Sequence, residues 1–278
     1  MSSIALEYQT GEGSLAIGPR LRRLYARRET IRYLVVSSLK AGHRDKLLGN
    51  LWNLLDPLLF MGVYYLVFGV LLGQAGNDPR SFLLHLIVGV LGWRFFDASV
   101  GQATNCVRGY RGLIHEINFP KAVFPIAVVI SRVYDFLWGL VVLFVVLLII
   151  RQPLTIHILW VLPLLVGQVV FTLGLGFLFA YLGAFYADTA NVVTAGMRLW
   201  FYGSPIFYYV HARVPEWFRP YYMLNPLACY LESYRAGLVR ASMPDVTLML
   251  YAGGISLAML IFGFAIFSRG EGRFAKYI

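Results

Sequence analysis

The chain has 278 residues, of which 59% are hydrophobic and 14% charged, and its mean hydropathy is +0.66. A soluble globular domain carries about 25% charged residues, so this composition excludes a soluble protein and predicts an integral membrane protein. The net charge of +10 does not indicate nucleic-acid binding, because Lys and Arg concentrate in short segments that flank apolar runs, as membrane topology signals do.

Residues 1–48 precede the first predicted span and fall into two parts. Residues 1–28 are polar and then basic, which predicts a flexible cytoplasmic segment, and no apolar stretch typical of a secretory signal occurs there. In residues 29–48 the apolar side chains recur at helical spacing, and they are Ile31, Leu34, Val35 and Leu39. This pattern predicts an amphipathic helix lying in the membrane interface. The alternative is a cytosolic helix that packs on a partner.

Residues 49–278 predict one all-α transmembrane domain with six spanning helices. The predicted spans cover residues 51–73, 82–105, 122–150, 155–185, 192–210 and 246–267. In the fourth span, small residues recur every four positions at Gly176, Ala180 and Ala184. Small residues at this spacing let helix backbones approach closely.

A mostly aromatic repeat with a period of four residues runs along the first predicted span. The repeat consists of Trp52, Asp56, Phe60, Tyr64 and Phe68, and Phe201 and Tyr208 add aromatic rings to the end of the fifth span. The rings are either a wall that contacts a sugar chain, since sugar C–H faces stack on aromatic rings, or ordinary core and lipid-facing aromatics. Two ion pairs are also predicted within spans, Arg94 with Asp97 and Arg132 with Asp135.

A polar and basic segment at residues 105–125 separates the second and third spans. Its polar residues are Arg108, Arg111, His115, Glu116 and Lys121, and they surround apolar Leu113 and Ile114. Several charges at the centre of a bilayer would each cost a few kcal/mol, so the segment must lie on one face of the membrane. It is either a docking surface for another protein or an ordinary basic loop.

A second polar segment, residues 211–246, lies before the last span. Asn225 followed by Pro226 predicts a helix N-cap with proline in the first turn, and the helix that follows is too short and too charged to cross the membrane. The pattern predicts two short external helices, within residues 213–240, that re-enter the outer leaflet. The alternative is a loop folded above the membrane.

The distribution of basic residues predicts the topology. With six spans, sixteen Lys and Arg residues fall on the side of the two termini and six on the other side. The positive-inside rule therefore places both termini and the segment 105–125 in the cytoplasm. Cys106 and Cys229 then lie on opposite sides and cannot form a disulfide.

Motifs for catalysis and for nucleotide or metal binding are absent from the sequence. The chain has no GxxxxGK[ST] phosphate-binding loop, no HExxH, no GxSxG and no cluster of Cys and His at metal-ligand spacing. The sequence therefore predicts a protein that is not an enzyme, binds no metal or cofactor of its own, and takes any energy it uses from elsewhere.

Four motifs occur in order between these spans, and with them the chain resembles the membrane subunit of type-2 ABC exporters for cell-envelope polysaccharides such as O-antigen, capsule and teichoic acid. The motifs are His43-Arg44 followed by Leu48-Gly49-Asn50-Leu51-Trp52 and Pro57-Leu58, Leu113-Ile114 with Phe119-Pro120, Ser204-Pro205-Ile206-Phe207-Tyr208, and Asn225-Pro226 with Glu232 through Arg235. The resemblance covers nearly the whole chain from about Glu29. The chain departs from the family pattern in lacking a Tyr near His43 and a Ser near Lys46, and in having Ala187 where an Arg often precedes the Asp.

The resemblance implies a role for each segment. Residues 109–118 would form the coupling helix that docks on a separate ATPase, with Arg108, Arg111, Leu113, Ile114, His115 and Glu116 as docking residues. The interface helix and the opening motif would complete that contact through Arg44, Leu48, Gly49 and Trp52. The channel would be lined by Trp52, Phe60, Tyr64, Phe68, Phe201 and Tyr208. The external gate would involve Pro205, Asn225, Pro226, Glu232 and Arg235.

The resemblance also implies the partners and the location. Two permeases and two ATPase subunits would assemble in the bacterial cytoplasmic membrane, the ATPases would bind ATP and Mg, and the channel between the permeases would carry a lipid-linked polysaccharide. Membrane lipids would surround the complex, and no nucleic acid is implied. Two alternatives remain: export of a lipid or drug by the same fold, and a membrane-embedded transferase.

Overall fold

The structure is a computed structural model that describes residues 24–43, 51–76, 78–116 and 120–274. These residues form helices, turns and irregular segments, and no β-strand occurs among them. Four residues of the predicted opening motif, Arg44, Leu48, Gly49 and Asn50, lie outside the described residues. The all-helical prediction is confirmed for the described part of the chain.

The described residues contain eleven α-helical segments, α1 to α11 in chain order. They are α1 (Arg28–His43), α2 (Leu51–Tyr64, continued by a π-helix at Tyr65–Leu71), α3 (Pro79–Gly109), α4 (Arg111–Glu116), α5 (Val123–Ile150), α6 (Val161–Phe185, preceded by a 3-10 turn at Ile156–Trp160), α7 (Thr189–Tyr202), α8 (Val210–Arg213), α9 (Arg219–Tyr222, preceded by a 3-10 turn at Glu216–Phe218), α10 (Pro226–Leu238) and α11 (Val246–Gly270, followed by a 3-10 turn at Glu271–Arg273).

Four helical stretches among the described residues are long and apolar enough to cross a membrane. They are Pro79–Gly109, Val123–Ile150, Ile156–Phe185 and Val246–Arg273, with 28 to 31 residues each. At about 1.5 Å per residue, each exceeds the hydrocarbon thickness of roughly 30 Å. They coincide to within a few residues with the second, third, fourth and sixth predicted spans.

The first and fifth predicted spans differ from these four. The apolar part of α2 is shorter, Leu58–Leu71. Helix α7 has 14 residues, about 21 Å at 1.5 Å per residue, so the prediction that the fifth helix extends to residue 210 is wrong. The chain leaves the helical conformation at Gly203 because Pro205 disfavours helical geometry in the preceding residue, Ser204.

Helix α6 lies between α3 and α11, and its glycines permit close contact with both. A side chain at Gly174 would place Cβ 2.6 Å from the backbone nitrogen of Leu260 on α11, and a side chain at Gly183 would collide with the carbonyl oxygen of Thr104 on α3. Ala180 and Ala184 are fully buried. The prediction that small residues in this helix permit close backbone contact is therefore confirmed.

Helix α1 packs on the end of the bundle where α3 and α6 finish and α5 begins. Leu34 is 4% exposed and joins a buried cluster that contains Val107, Phe124 and Ala184. The apolar face that the pattern assigned to the membrane interface thus covers this chain's own helix α5, and Tyr33 on the outer side of α1 is 72% exposed.

Helix α10 is buried among the long helices. All thirteen of its residues are buried, and it contacts α11, α6 and α3. Leu231 packs on Gly92, and the Tyr234 hydroxyl donates to Gln168 Oε1 at 3.1 Å. Gly92 lies thirteen residues after the start of α3, about 20 Å along that helix. The helix thus reaches well into the bundle.

Candidate functional site

An open cleft of about 580 Å³ lies between α2, α3 and α7. Its walls combine aromatic and polar side chains. They include Phe60, Tyr64, Trp93, Arg94, Asp97, Arg198 and Phe201. Three of the six residues predicted to line a channel, Phe60, Tyr64 and Phe201, therefore border this cleft.

The aromatic repeat of α2 forms a continuous row of rings. The centroids of Phe60 and Tyr64 are 6.3 Å apart, and those of Tyr64 and Phe68 are 6.1 Å apart. Tyr64 also faces Phe201 on α7 at 6.0 Å, and Phe68 stacks on Phe207 at 4.2 Å. The sequence spacing thus predicted the row, and the contacts show that α7 and the turn after it form its second side.

Charged groups occupy the same cleft as the rings. The Arg94 guanidinium lies 4.9 Å from the centroid of the Phe60 ring, a distance at which a cation is attracted to the ring face. Asp97 and Arg198 also border the cleft. Away from the cleft, the predicted ion pair of Arg132 with Asp135 is confirmed, with a distance of 2.6 Å. The cleft thus offers ring faces together with charged and hydrogen-bonding groups.

Sequence reasoning missed several residues that line the cleft on α7. The missed residues are Thr194, Met197 and Arg198. With the predicted Phe201 they follow the spacing i, i+3, i+4, i+7, which places all four on one face of the helix. This mixed polar and aromatic face is the signal that could have identified them.

Tyr208, which was also predicted to line the channel, borders a different cavity. That cavity has a volume of about 520 Å³ and is lined by Leu72, Gln74, Tyr208, Arg213 and Val214. The hydroxyls of Tyr208 and Tyr222 are 2.6 Å apart. The structure therefore does not bring Tyr208 into the cleft with Tyr64. Trp52 belongs to α2, and its side chain lies outside what the structure describes.

Arg235, a gate candidate, is almost completely buried and connects three parts of the chain. Its guanidinium donates to the carbonyl oxygens of His85 at 3.1 Å and Ile206 at 3.1 Å, and to Glu232 Oε1 at 2.8 Å. Glu232 also accepts from Arg240 at 3.0 Å. Burial alone would raise the pKa of Glu232, but the two guanidinium groups hold this pKa below its ordinary value.

Asn225 makes a second connection to the same turn. Its Oδ1 caps α10 by accepting from the Leu227 N–H at 3.1 Å and also accepts from Trp200 Nε1 at 3.0 Å, while its Nδ2 donates to Ser204 Oγ at 3.0 Å. The predicted N-cap is confirmed, with Pro226 in the first turn. The turn after α7, which contains the buried gate candidate Pro205, is therefore fixed to α10 at two points.

The polar segment between α3 and α5 contains a separate helix, α4, which begins at Arg111, two residues after the start of the predicted range 109–118, while residues 117 and 118 lie outside the described part. Arg111 is exposed and Leu113 is partly buried against the cluster at this end of the bundle. The Tyr110 ring stacks on Phe124 at 4.7 Å, and Arg108 Nη2 lies 3.5 Å from the carbonyl oxygen of Ala184. Ile114, His115 and Glu116 complete α4, but their side chains lie outside the described part.

Comparison with known proteins identifies the family to which this chain is similar. The family model for the ABC-2 type transporter matches residues 29–239. This range contains the cleft, the segment with α4 and helix α10.

Curated relatives match over nearly the whole chain. The chain is 30% identical over 259 residues to the O-antigen export system permease protein RfbA of Myxococcus xanthus, covering 93% of this chain and 98% of that protein. It is also 30% identical over 242 residues to an O-antigen export system permease protein RfbA of Klebsiella pneumoniae, covering 86% of this chain and 91% of that protein. With four long apolar helices, this chain is a multi-pass membrane protein that belongs to the ABC-2 type transporter family, as a transport permease rather than an enzyme.

Proposed function

We propose that this permease exports a lipid-linked polysaccharide of the O-antigen type across the bacterial cytoplasmic membrane. The observation that carries the proposal is the cleft of about 580 Å³, whose walls place aromatic rings beside charged and hydroxyl groups. Aromatic faces stack on the C–H faces of sugars, and polar groups can exchange hydrogen bonds with sugar hydroxyls as the chain slides. The names of the relatives point to the same class of substrate.

In the proposed topology, α2 and α7 are the first and fifth of six spans, and both termini lie in the cytoplasm. The excess of basic residues on that side supports this orientation. Helix α10 re-enters from the outside, and its complete burial by α3, α6 and α11 supports this placement. A helix that ends within the membrane is tolerated where protein covers it.

The cleft is open on one side, and in our proposal a second copy of the chain closes it. Arg198 and Thr194 are exposed on the open face of α7. A charged side chain in the middle of a membrane helix is costly against lipid, so this face is better suited to a polar channel between two permeases. Phe60, Tyr64 and Phe201 would then contact the glycan, with Trp52 and Phe68 on the same helix extending the wall.

In the proposed complex, two ATPase subunits dock on the cytoplasmic side of the two permeases. The sequence has no phosphate-binding loop of its own, so ATP and Mg would be bound by the ATPases. The exposed Arg111 and the other α4 residues Leu113, Ile114, His115 and Glu116 would form the docking surface. The opening-motif residues Arg44, Leu48 and Gly49 would complete it.

Removal of the ring faces tests the glycan path. We expect the double variant Tyr64→Ala/Phe201→Ala to slow export about tenfold, because stacking on two rings contributes roughly 1 kcal/mol or more. The measurement is the rate at which glycan reaches the cell surface, with complex assembly checked by co-purification of the ATPase. Trp217→Ala is the matched control, because Trp217 is 74% exposed and does not line the cleft.

Unchanged export of the polysaccharide by the cleft variant would contradict the proposed path. Export of a lipid or drug in place of a glycan by the reconstituted wild-type complex would contradict the proposed substrate. In either case the assignment to the ABC-2 type transporter family would stand, because it rests on the match over residues 29–239.

Charge reversal in α4 tests the docking surface. We expect Arg111→Glu to uncouple ATP hydrolysis from export. The substitution replaces an exposed positive charge with a negative one, so a partner group that pairs with the guanidinium would be repelled or left unpaired. The measurement is the amount of glycan exported per ATP hydrolysed. Arg151→Glu, an exposed arginine in the turn between α5 and α6, is the control. Wild-type coupling in Arg111→Glu would contradict docking at α4.

A further inference from the structure

The docking segment, residues 109–120, carries α4, and a charged side chain makes a contact at each of its ends. The segment leaves the bundle after Arg108 at the end of α3 and returns at Lys121, just before α5 begins. Between these points it carries α4. Movement of α4 can therefore reach the membrane helices through these two points, in addition to the Tyr110–Phe124 stack and the packing of Leu113.

At the first end, Arg108 connects the segment to α6. Its Nη2 lies 3.5 Å from the carbonyl oxygen of Ala184, in the last turn of that helix. The last carbonyls of a helix have no partner within the helix and carry partial negative charge, which favours a cation there. Arg108 is therefore turned toward the bundle, although the sequence had assigned it to the ATPase contact.

At the second end, Glu271 connects the segment to α11. Its carboxylate accepts a hydrogen bond from the backbone N–H of Lys121. The first N–H groups of a helix lack partners within the helix, so a carboxylate next to the start of α5 is favourable. Glu271 begins the 3-10 turn after α11. That turn is anchored by Phe274, which is fully buried against Phe185 and Phe267.

Through these two contacts, the residues that flank the segment carrying α4 are joined to α6 and α11. We propose that Glu271 and Arg108 are positioning residues through which displacement of the docking helix α4 is transmitted to α11 and α6. This inference rests on the proposed docking of an ATPase at α4. It assigns to Glu271 a role in coupling that the sequence motifs do not indicate.

Replacing Glu271 tests the link in the complete permease–ATPase complex reconstituted in liposomes. We expect Glu271→Ala to lower the glycan exported per ATP hydrolysed about tenfold, since a hydrogen bond to a charged group is lost. Glu271→Gln keeps an acceptor oxygen and should restore most of that ratio. Arg273→Ala, an exposed residue in the same turn, should leave the ratio unchanged.

The outcomes separate this inference from the docking proposal. A wild-type ratio in Glu271→Ala, together with a lowered ratio in Arg111→Glu, would overturn the link and leave docking intact. A wild-type ratio in both variants would overturn both.

A second measurement restores the link covalently. In Lys121→Cys/Glu271→Cys the carboxylate is absent, so the ratio of glycan exported to ATP hydrolysed should be low in the assembled complex. Joining the two cysteines with a short, cleavable thiol reagent should raise the ratio, and cleavage should lower it again. A ratio that does not rise on linking would overturn the proposal.

Discussion

Glu232 and Arg235 show how a pair three residues apart in the sequence acquires a role only from its surroundings. Their side chains are 8% and 1% exposed, and the guanidinium reaches the carbonyl oxygens of His85 and Ile206. A buried guanidinium is tolerated only when it is paired and its donors are satisfied. The pair therefore fixes the turn after α7 to α10.

Removal of the Glu232 charge should destabilise the protein in a pH-dependent manner. We expect Glu232→Gln to lower the free energy of unfolding by about 3–5 kcal/mol at neutral pH, because it leaves the Arg235 charge buried without its counter-ion. Because the folded-state pKa of Glu232 is lowered, its stabilisation is complete above the ordinary Glu pKa of about 4.3 and is lost as the pH falls through the folded value.

The measurement is thermal unfolding in detergent at pH 7 and at successively lower pH. The difference between wild type and Glu232→Gln should shrink as the pH falls. Glu216→Gln is the control, because the Glu216 side chain is 88% exposed in its contact with Arg219. A difference independent of pH would show that the charge of Glu232 does not stabilise the fold.

At the scale of helices, close packing of α6 on its two neighbours determines the shape of the bundle. Gly174 lies against the backbone of Met259 and Leu260 on α11, and Gly176 faces Ala103 on α3. In a membrane, helix association depends on such van der Waals contact because lipid supplies no hydrophobic drive between helices. The cleft and the segment that carries α4 are both positioned by helices that pack on α6.

Adding one methyl group to α6 tests this packing. We expect Gly174→Ala to lower the free energy of unfolding by about 1–3 kcal/mol, because the new Cβ would lie 2.6 Å from Met259 and Leu260 backbone atoms. Gly253→Ala on α11 is the control. Its Cβ meets nothing within 4 Å, so alanine should be neutral or stabilising by up to about 1 kcal/mol. Equal effects would contradict close α6–α11 packing.

For the whole molecule, the proposed six-span topology depends on α2 and α7. Both are shorter in apolar length than the other four. If either failed to cross the membrane, the N-terminus and the segment before α11 would no longer lie on opposite sides.

Thiol labelling measures the sidedness. We expect a cysteine at position 14 to react only with a permeant reagent in intact cells and a cysteine replacing the exposed Met243 to react with an impermeant one. The native Cys106 and Cys229 are buried, and burial raises the pKa of Cys229 to about 11, so both should stay unlabelled. Labelling of the two new cysteines from the same side would contradict the six-span topology.

The sequence alone determined the class of protein, the four long membrane helices, the N-cap at Asn225 and the aromatic repeat from Phe60 to Phe68. Each depends on composition, on a repeat along one helix or on a local cap, and such features are encoded by neighbouring residues. Gly203 and Pro205 also encode the end of α7 at Tyr202. The predicted span continued past them because the residues on both sides are largely apolar.

Only the tertiary structure decided which residues meet from distant parts of the chain. Phe201 reaches Tyr64, Arg235 reaches His85, and Glu271 reaches Lys121 across 150 positions. These contacts depend on how the helices pack, and packing depends on the shape of every side chain between them. For this reason the partners of Arg108 and Arg235 within the fold could not be read from their spacing.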